Sequence, residues 1–487
     1  MGLSMVMRRL VSASAAAAAT LAAVPAADAA TRFVVKGAGY GHGIGMSQYG
    51  ALGFAKQGYT HDRILRHYYT QTQLGKVSPS PTVRVLLQQG RSTVTFSGAV
   101  AAGTRRLSRG RTYSARARAG RVALRSPSGR TLATYDAPLR IAAPGGGALR
   151  LHGAAQNGTS SGLYRGALEL RPAGGALNAI NAVDMEDYVR GVISAESPAS
   201  WPIEALKAQA VAARSYALTT TKGGDGWDQY ADVRSQMYQG VKAEFPSTDR
   251  ATRETAGQIV TYGGQAVTTF FFSTSGGETE NIENSFIGAV PKPWLKGVKD
   301  PFDDASPKHR WRLQMTAGQA AGKLGGLVKG SFRGIKVLER GVSPRVVRAE
   351  VLGSRGRTTT TGPVLRARLG LFDTWATFTT ISSKATREEP RPEDPPAARQ
   401  PSPEGGTEAG ASMARARARG HVLVLRGRID RAPRGAVVGV QRRVHGGWRT
   451  VGRTRATAGG RYRAVLPERG TYRVVFRGAP GPRLVAR

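Results

Sequence analysis

The sequence contains no cysteine among its 487 residues. Disulfide bonds and thiolate-bound metal ions are therefore excluded. After the N-terminal segment there is also no apolar run approaching the ~20 residues that a membrane-spanning helix needs. A chain without disulfides must be stabilised by hydrophobic cores, and its length is sufficient for two or three domains.

The N-terminal segment has the three parts of a secretory signal. Arg8 and Arg9 precede a run of small and apolar residues over 10–27, and the run ends in the small-x-small pattern of 27–29. Because the run is rich in alanine and only weakly apolar, a cleaved signal peptide is favoured over a retained membrane anchor. We therefore predict a signal peptide over 1–29 and a secreted protein.

Acidic residues are scarce relative to basic ones. The 71 Lys and Arg outnumber the 32 Asp and Glu, which gives a formal net charge of +39. Such a charge attracts polyanions without specificity. Biased codon usage is one source of the excess, since Arg, Ala and Gly are all abundant. For an exported chain, wall polyanions or anionic lipid head groups are the expected counter-charges, and we expect no specific nucleic-acid partner.

Composition divides the remainder of the chain into three parts. Residues 30–383 have the pattern of one folded block, whereas 384–414 are rich in Pro, Glu and Gly and predict an extended linker. Residues 415–487 contain short alternating runs punctuated by Gly, Pro and Asp, the pattern of a small antiparallel β-sandwich. No cluster of ionisable groups there resembles a catalytic site, so we interpret this module as a spacer or wall-binding unit.

The main block is predicted to be an α+β domain. Its strands include VRVLLQ, STVTF, YSARAR, RVALRS, TLATY and GALELRP, followed later by QIVTY, IKVLER and VRAEVLG. Two helices lie between these groups, the first capped by Asp184 and the second beginning at Pro202. The apolar positions of the two helices are Val189, Val192 and Ile193, and Ile203, Leu206, Ala210, Ala213 and Ala217.

Glu196 lies in SAESPAS, a polar connection between the two helices. A carboxylate at this position can face a groove. Glu186 and Glu204 instead lie in helical first turns, where complementing the helix dipole is a sufficient role. The residue pattern alone leaves Glu196 open between a surface carboxylate and a catalytic acid/base.

A glycine-rich motif, GAGYGHGIGMSQYGA, lies near the start of the block. Its alternating glycines allow positive φ or close backbone approach, but neither G-x-G-x-x-G nor G-K-[ST] is present, which argues against a nucleotide loop. His42 is either a site residue or a hydrogen-bonded structural one. Gln48 and Tyr49 are natural partners for sugar hydroxyl and acetamido groups.

A third block, FFFSTSGGETEN, predicts a buried strand over Phe270–Phe272 and a loop at its end. The loop residues Ser273, Ser275, Gly276 and Gly277 either line a groove or form a simple turn. His61 and His67 are six residues apart in a helix-like stretch, where that spacing does not align them. No credible ligand set is present, so we predict no metal site and no cofactor.

These blocks resemble the SpoIID/LytB family, which includes stage II sporulation protein D and a modifier of a cell-wall amidase. The resemblance spans most of 31–382 and rests on long motifs. These are GYGHGIGMSQYGALGFAKQGYTHDRILRHYY, MEDYVRGVISAESPASWPIEALKAQAVAARSYAL, YQGVKAEF, ATRETAGQIVTYGGQAVTTFFFSTSGGETEN, PWLKGVKDPFD and GPVLRARLGL. In most members the glycine-histidine motif comes near the domain's end, so this chain looks circularly permuted. We expect the motif to return to the same groove, while this order leaves a sporulation role unsupported.

The resemblance implies a cell-wall-associated protein with lytic transglycosylase activity on peptidoglycan, and Glu196 as the catalytic acid and base. It also favours groove roles for His42 and the 273–277 loop. Some members carry a His and Cys zinc site, which this cysteine-free chain cannot form. The alternative is a non-catalytic protein that binds peptidoglycan glycan strands and enhances a cell-wall amidase or autolysin.

Three residues flanking Glu196 have weaker assignments. Trp201, with Pro198, could provide the apolar surroundings that keep a carboxyl group protonated, or it could belong to the core. Gln209 and Arg214 in the second helix either form structural ion pairs and hydrogen bonds or orient Glu196.

Overall fold

The computed structural model describes residues 30–223, 226–389, 391, 394 and 421–486. The chain divides into two compact units, the first over Phe33–Thr379 and the second containing Thr380–Arg487. The predicted signal peptide lies outside the described residues, as do most residues of the predicted linker. Within the described ranges, no helix has the length and apolar character needed to cross a bilayer.

The first unit is built around a seven-stranded sheet, in which antiparallel β4, β14 and β15 are the long strands and short β16 joins β4 in parallel. Its strands, in the order of the sheet, are β16 (Gln229–Tyr230), β4 (Thr82–Arg91), β15 (Ala176–Asp184), β14 (Ala167–Ala173), β11 (Leu139–Ala142), β6 (Ala101–Ala102) and β7 (Arg105–Arg106). The predicted strands VRVLLQ and GALELRP lie here. β15 leads directly into the first of the two predicted helices.

A six-stranded antiparallel sheet shares the same core. In order its strands are β10 (Thr131–Tyr135), β9 (Arg121–Arg125), β8 (Thr112–Arg118), β5 (Val94–Ser97), β12 (Ala148–Leu151) and β13 (Leu163–Arg165). Inward residues of both sheets, such as Val85, Phe96 and Leu168, are buried in one cluster. These strands could be predicted from the sequence because inward apolar residues alternate with outward polar ones.

Eight α-helices are described. They are α1 (Gln48–Lys56), α2 (His61–Tyr68), α3 (Met185–Glu196), α4 (Ile203–Thr219), α5 (Pro246–Glu254), α6 (Ile282–Ser285), α7 (Ala317–Leu324) and α8 (Gly362–Leu369), with 3-10 turns at Gly240–Ala243 and Gly325–Leu327. The predicted stripe of α4 packs with α3 in the main cluster. The opposite face of α4 is also buried, since Ala208, Val211 and Ala212 pack against α1 and α2. Helix α4 is therefore a central element between two cores.

Short sheets complete the first unit. They contain β3 (Gln73–Lys76), β17 (Gln258–Tyr262) and β18 (Gln265–Ala266); β2 (Met46–Ser47) beside β19 (Phe271–Phe272); β21 (Phe332–Arg340), β22 (Val346–Gly353) and β23 (Gly356–Thr361); and β1 (Ala30–Ala38) beside β20 (Arg310–Thr316). The predicted buried strand over Phe270–Phe272 needs correction. Only Phe271 and Phe272 form a strand and only Phe272 is buried. The parallel partner β2 has only two residues, because Gly45 before it has φ +72° and α1 begins directly after it.

The second unit is all β. One group of antiparallel strands contains β24 (Ala376–Glu388), β25 (Val422–Ile429) and β28 (Arg461–Val465). The other contains β26 (Val437–Val444), β27 (Gly447–Arg455), β29 (Gly470–Phe476), β30 (Ala479–Pro480) and β31 (Leu484–Ala486). The predicted start of the linker at Lys384 is wrong, because 381–388 pair with β25 and continue the strand to Glu388. The α+β fold class is confirmed.

Candidate functional site

The connection between α3 and α4 is defined by local sequence. The Asp184 carboxylate accepts from the Glu186 amide at 2.8 Å and caps α3. The helix ends at Glu196, because Ser197 has an extended backbone. The following Pro198 disfavours the α conformation at Ser197. Pro202 then precedes the first residue of α4. Glu196 is thus held at the end of one buried helix, close to the start of another.

The carboxyl group of Glu196 is half-buried and accepts two hydrogen bonds. The Met237 amide donates to Oε1 at 2.7 Å, and the Gln48 side-chain amide donates to Oε2 at 3.4 Å. Burial raises the pKa of Glu196 above its ordinary value, and the two donors act in the opposite direction. Glu196 is also the last residue of α3, where the negative end of the helix dipole disfavours a carboxylate.

The charge of Glu196 contributes to the raised pKa of two nearby tyrosines. Burial, with a contribution from Glu196, raises the pKa of Tyr216 to about 12. Burial likewise raises the pKa of Tyr188, whose hydroxyl donates to Gln236 at 2.8 Å. Both phenols therefore remain protonated around Glu196 near neutral pH.

Gln48 is the first residue of α1 and connects the glycine-rich motif to Glu196. Its side chain also donates to Gln209 Oε1 at 3.5 Å, and the Ser197 hydroxyl donates to the same oxygen at 3.4 Å. Gln209 is buried on α4, and its Nε2 has no hydrogen-bond partner among the described residues. Gln48, Glu196 and Gln209 therefore form one polar cluster.

Ser47 holds the start of α1 against the third sequence block. Its hydroxyl accepts from the Gly50 amide at 3.1 Å and from the Ser275 amide at 3.2 Å. Ser275 and Gly276 are buried and donate to Asp303, through the hydroxyl at 2.9 Å and the amide at 2.5 Å. In this structure the polar groups of these two loop residues form hydrogen bonds within the protein and stabilise its fold. Ser273, which is half-buried, accepts from the Tyr49 amide at 3.0 Å, and Gly277 has open space on its Cα.

A buried carboxylate lies under the first turn of α1. Asp300 accepts from the Tyr68 hydroxyl at 2.9 Å. Burial and then the neighbouring Asp303 raise the pKa of Asp300 to about 6. Gly50 permits this packing, because a Cβ there would lie 2.0 Å from the Tyr68 hydroxyl oxygen and 2.3 Å from the Asp300 carboxylate. Asp300 thus supports the helix that carries Gln48.

His42, which precedes β2 in the chain, lies in an aromatic environment. Its Nδ1 accepts from the Ile44 amide at 3.1 Å, and its ring contacts Phe270, Phe272 and Phe286. Burial, with Arg366 and Arg345 nearby, lowers the pKa of His42 to about 3. His42 is therefore neutral at physiological pH. None of its described contacts is with Glu196.

The glycines around His42 do have positive φ, as the alternation predicted, from Gly39 to Gly45. Their close approaches are to the protein itself. A Cβ at Gly43 would lie 2.4 Å from the Arg345 guanidinium, and one at Gly45 would lie 2.2 Å from the Phe270 carbonyl oxygen. The motif is therefore folded tightly against its own unit.

Tyr49 and Trp201 form the aromatic part of the site. Their ring centroids are 5.2 Å apart with an interplanar angle of 68°. Trp201 is partly buried and packs on the main cluster, whereas Pro198 is exposed. This position is compatible with both hypotheses from the sequence, that Trp201 is a core residue and that it is a site residue.

Arg214 has a structural partner. It is fully buried, and its guanidinium donates to Glu186 through Nε at 2.9 Å and Nη2 at 2.7 Å. Its Nη1 donates to the Gln258 carbonyl at 3.0 Å. This pair joins the start of α3 to α4, so Arg214 supports the frame that holds Glu196, and its described bonds do not include Glu196 itself.

Sequence reasoning missed two features of the site. The Met237 amide gives no side-chain signal, so its bond to Glu196 depends entirely on tertiary structure. Asp300 and Asp303 do leave a signal, since both lie in the quoted motif PWLKGVKDPFD, but nothing in the sequence pairs them with α1. Within the described ranges, no three His, Asp or Glu side chains are grouped as metal ligands would be.

Comparison with known proteins gives a consistent assignment. Residues 173–262, which include Glu196, Gln209 and Arg214, match the family model described as Stage II sporulation protein. The chain is 32% identical over 213 residues to stage II sporulation protein D of Bacillus subtilis, covering 40% of this chain and 60% of that protein. It is 30% identical over 211 residues to the protein of the same name in Bacillus amyloliquefaciens, with the same shares. It is 36% identical over 131 residues to the amidase enhancer of Bacillus subtilis, covering 27% of this chain and 17% of that protein.

The fold and these matches define an α+β domain built around a helix–Glu–helix core. Residues 173–262 match the Stage II sporulation protein model, and the similar proteins support a relationship of this chain to the SpoIID/LytB family. It spans about 60% of the length of the two sporulation proteins that it matches.

Proposed function

We propose that this protein acts on the bacterial cell wall as a lytic transglycosylase, cleaving glycan strands between N-acetylmuramic acid and N-acetylglucosamine. The observation that carries the proposal is Glu196, a half-buried carboxyl group with a raised pKa at the junction of α3 and α4. A raised pKa is what a general acid needs near neutral pH. The family match over 173–262 includes this residue.

One carboxyl group is sufficient for the reaction. Protonated Glu196 donates its proton to the glycosidic oxygen as the bond from that oxygen to the muramoyl anomeric carbon breaks. The muramoyl 6-hydroxyl oxygen then bonds to the anomeric carbon, and the Glu196 carboxylate takes its proton. The product is a 1,6-anhydromuramoyl end, and no water is consumed. Ordinary glycosidases need a second carboxylate for the nucleophile or its activation, which the substrate hydroxyl replaces here.

The surrounding residues suit a sugar substrate. Tyr49, next to Gln48 in the chain, packs its ring against Trp201, and the Gln48 amide can hold the Glu196 carboxylate after proton transfer. His42, Ser273 and Gly277 are proposed to line the same groove further from Glu196. Ser275, Gly276, Gln209 and Arg214 are proposed to position these groups, because each is buried and most of their polar groups are already bonded within the protein.

A digest of purified peptidoglycan tests the proposal. Wild-type protein should release 1,6-anhydromuramoyl products, and Glu196→Gln should abolish them while leaving circular dichroism and wall binding intact. Glu254→Gln, at the exposed end of α5, is the matched control and should retain activity. Wall binding without any new anhydro ends from the wild type would contradict the proposal.

The second candidate is a non-catalytic enhancer of a cell-wall amidase. The 36% identity to a protein named amidase enhancer supports it. In this case wild-type protein alone releases nothing, but it accelerates peptide release by a purified cell-wall amidase, and Glu196→Gln does so equally well. Export remains part of the proposal, because the predicted signal sequence lies outside the described residues.

A further inference from the structure

The second unit has an unusual basic composition. Residues 421–486 contain 15 arginines and no lysine, with Asp430 and Glu468 as the only acidic residues. Guanidinium groups bind phosphate through two parallel hydrogen bonds, whereas an ammonium acts as a point charge. The distribution of these arginines over the two β layers therefore decides whether they form a site.

Burial identifies the outer face of the layer formed by β27, β26 and β29. Val438 and Val440 of β26 are buried, so Val437, Gly439, Gln441 and Arg443 point outward. Residues paired across an antiparallel layer share a face. The pairs on the outer face are Val437 with Arg455, Gly439 with Arg453, Gln441 with Thr450 and Arg473, and Arg443 with Trp448.

The outer surface thus carries Arg443, Arg453, Arg455 and Arg473 around Trp448, and we name it the arginine face. Arg443, Arg453 and Arg455 are exposed. The two acidic residues of 421–486 do not pair with Arg443, Arg453 or Arg455. Asp430 pairs with Arg431 and Glu468 with Arg442, and neither arginine belongs to the face.

Trp448 organises the centre of the arginine face. The guanidinium of Arg473 lies 4.2 Å from its ring centroid, and that of Arg483 lies 5.8 Å away. Cation–π contacts hold the guanidinium groups without neutralising their charge. Because cations cover the indole, it is not placed to insert into a bilayer as an interfacial tryptophan does.

We propose that the arginine face binds an anionic cell-wall polymer whose repeating groups are phosphodiesters. Arg453 and Arg455 alternate along β27, so their Cα atoms are about 7 Å apart, a spacing that suits charges repeated along a chain. The flat, extended face fits a polymer better than a single small anion. Binding here anchors the protein to the wall, and it stands independently of whether Glu196 is catalytic.

The test uses full-length protein and three exposed arginines at a time. The combined Arg443→Gln, Arg453→Gln and Arg455→Gln variant removes three charges from the arginine face. The control variant Arg428→Gln, Arg461→Gln and Arg469→Gln removes three exposed charges elsewhere in the same unit. Binding is measured to wall sacculi carrying their phosphodiester polymers and to the same sacculi stripped with hydrofluoric acid.

We expect the face variant to bind intact sacculi at least tenfold more weakly than the wild type, with a shallower salt dependence by about two to three ions. The control variant should bind like the wild type, and stripping should abolish the difference. Equal losses in both variants, or unchanged wild-type binding to stripped sacculi, would overturn the proposal. So would tighter arginine-dependent binding to phosphatidylglycerol vesicles or to duplex DNA than to intact sacculi.

Discussion

The side-chain amide of Gln48 donates to Oε2 of Glu196 at 3.4 Å, although the two residues are 148 positions apart in the chain. Gln48 belongs to the glycine-rich motif that this chain carries ahead of its helix pair. The bond therefore brings the glycine-rich motif to the candidate acid. His42, six residues earlier, packs instead on Phe270, Phe272 and Phe286.

Removing the Gln48 amide tests this bond. In Gln48→Ala the carboxylate of Glu196 loses a donor that lowers its pKa, so the pKa rises further. If Glu196 is the acid, the alkaline limb of the pH–rate profile should shift upward, and the rate should fall by up to about 100-fold because the carboxyl group is less well oriented. Anhydromuramoyl release measured between pH 5 and 9 checks this.

Gln57→Ala, at the exposed C-terminal end of α1, is the control for that experiment. It should leave both the rate and the profile unchanged. A lower rate for Gln48→Ala with an unmoved profile would argue that Gln48 contacts substrate and does not tune Glu196.

Asp300 predicts a specific dependence of stability on pH. Its pKa is raised in the folded protein to about 6, from 3.8 for an unperturbed group, so ionisation destabilises the fold as the pH rises through 6. Asp300→Asn removes this cost. The variant should gain about 2.4 kcal/mol relative to the wild type between pH 4 and pH 8, measured by urea unfolding. A constant difference across that range would contradict the raised pKa.

The buried pair of Arg214 and Glu186 should be essential for stability. In Glu186→Gln the fully buried guanidinium loses its anionic partner, which typically costs about 3–5 kcal/mol. Asp136→Asn breaks the exposed pair with Arg121 and should cost less than about 1 kcal/mol. Denaturant unfolding of both variants at one pH makes the comparison, and similar small losses would show that Arg214 is readily hydrated.

Two glycines allow the stability cost of backbone strain to be measured apart from the cost of overpacking. Gly43 and Gly58 have nearly the same φ, +84° and +82°, but a Cβ at Gly43 meets Arg345 whereas one at Gly58 meets nothing within 4 Å. Gly58→Ala should cost about 1 kcal/mol through strain alone. Gly43→Ala should cost about 1–3 kcal/mol more through overpacking, as measured by thermal unfolding. Equal costs would show that Arg345 moves aside freely.

Much of the fold follows from the sequence because its signals are local. Asp184 caps α3 as predicted, and the stripe on α4 is buried from Leu206 to Ala217, with Ile203 partly buried, as the helical period requires. The β-strands before them follow the two-residue alternation. The second buried face of α4 was not predictable, because alanines that pack on α1 carry no amphipathic signal.

The site divides in the same way. The sequence by itself determined that Glu196 lies at the junction of two helices, although the structure makes it the last residue of α3, and that Gln48, Tyr49 and the 273–277 loop carry groups suited to a polar site. Only the tertiary structure decided which of these meet. It paired Gln48 with Glu196 and Tyr49 with Trp201, supplied the Met237 amide, and kept the described contacts of His42 away from Glu196. The physical reason is that burial and hydrogen bonds between distant segments depend on how α1 packs against α4, and no local pattern records that packing.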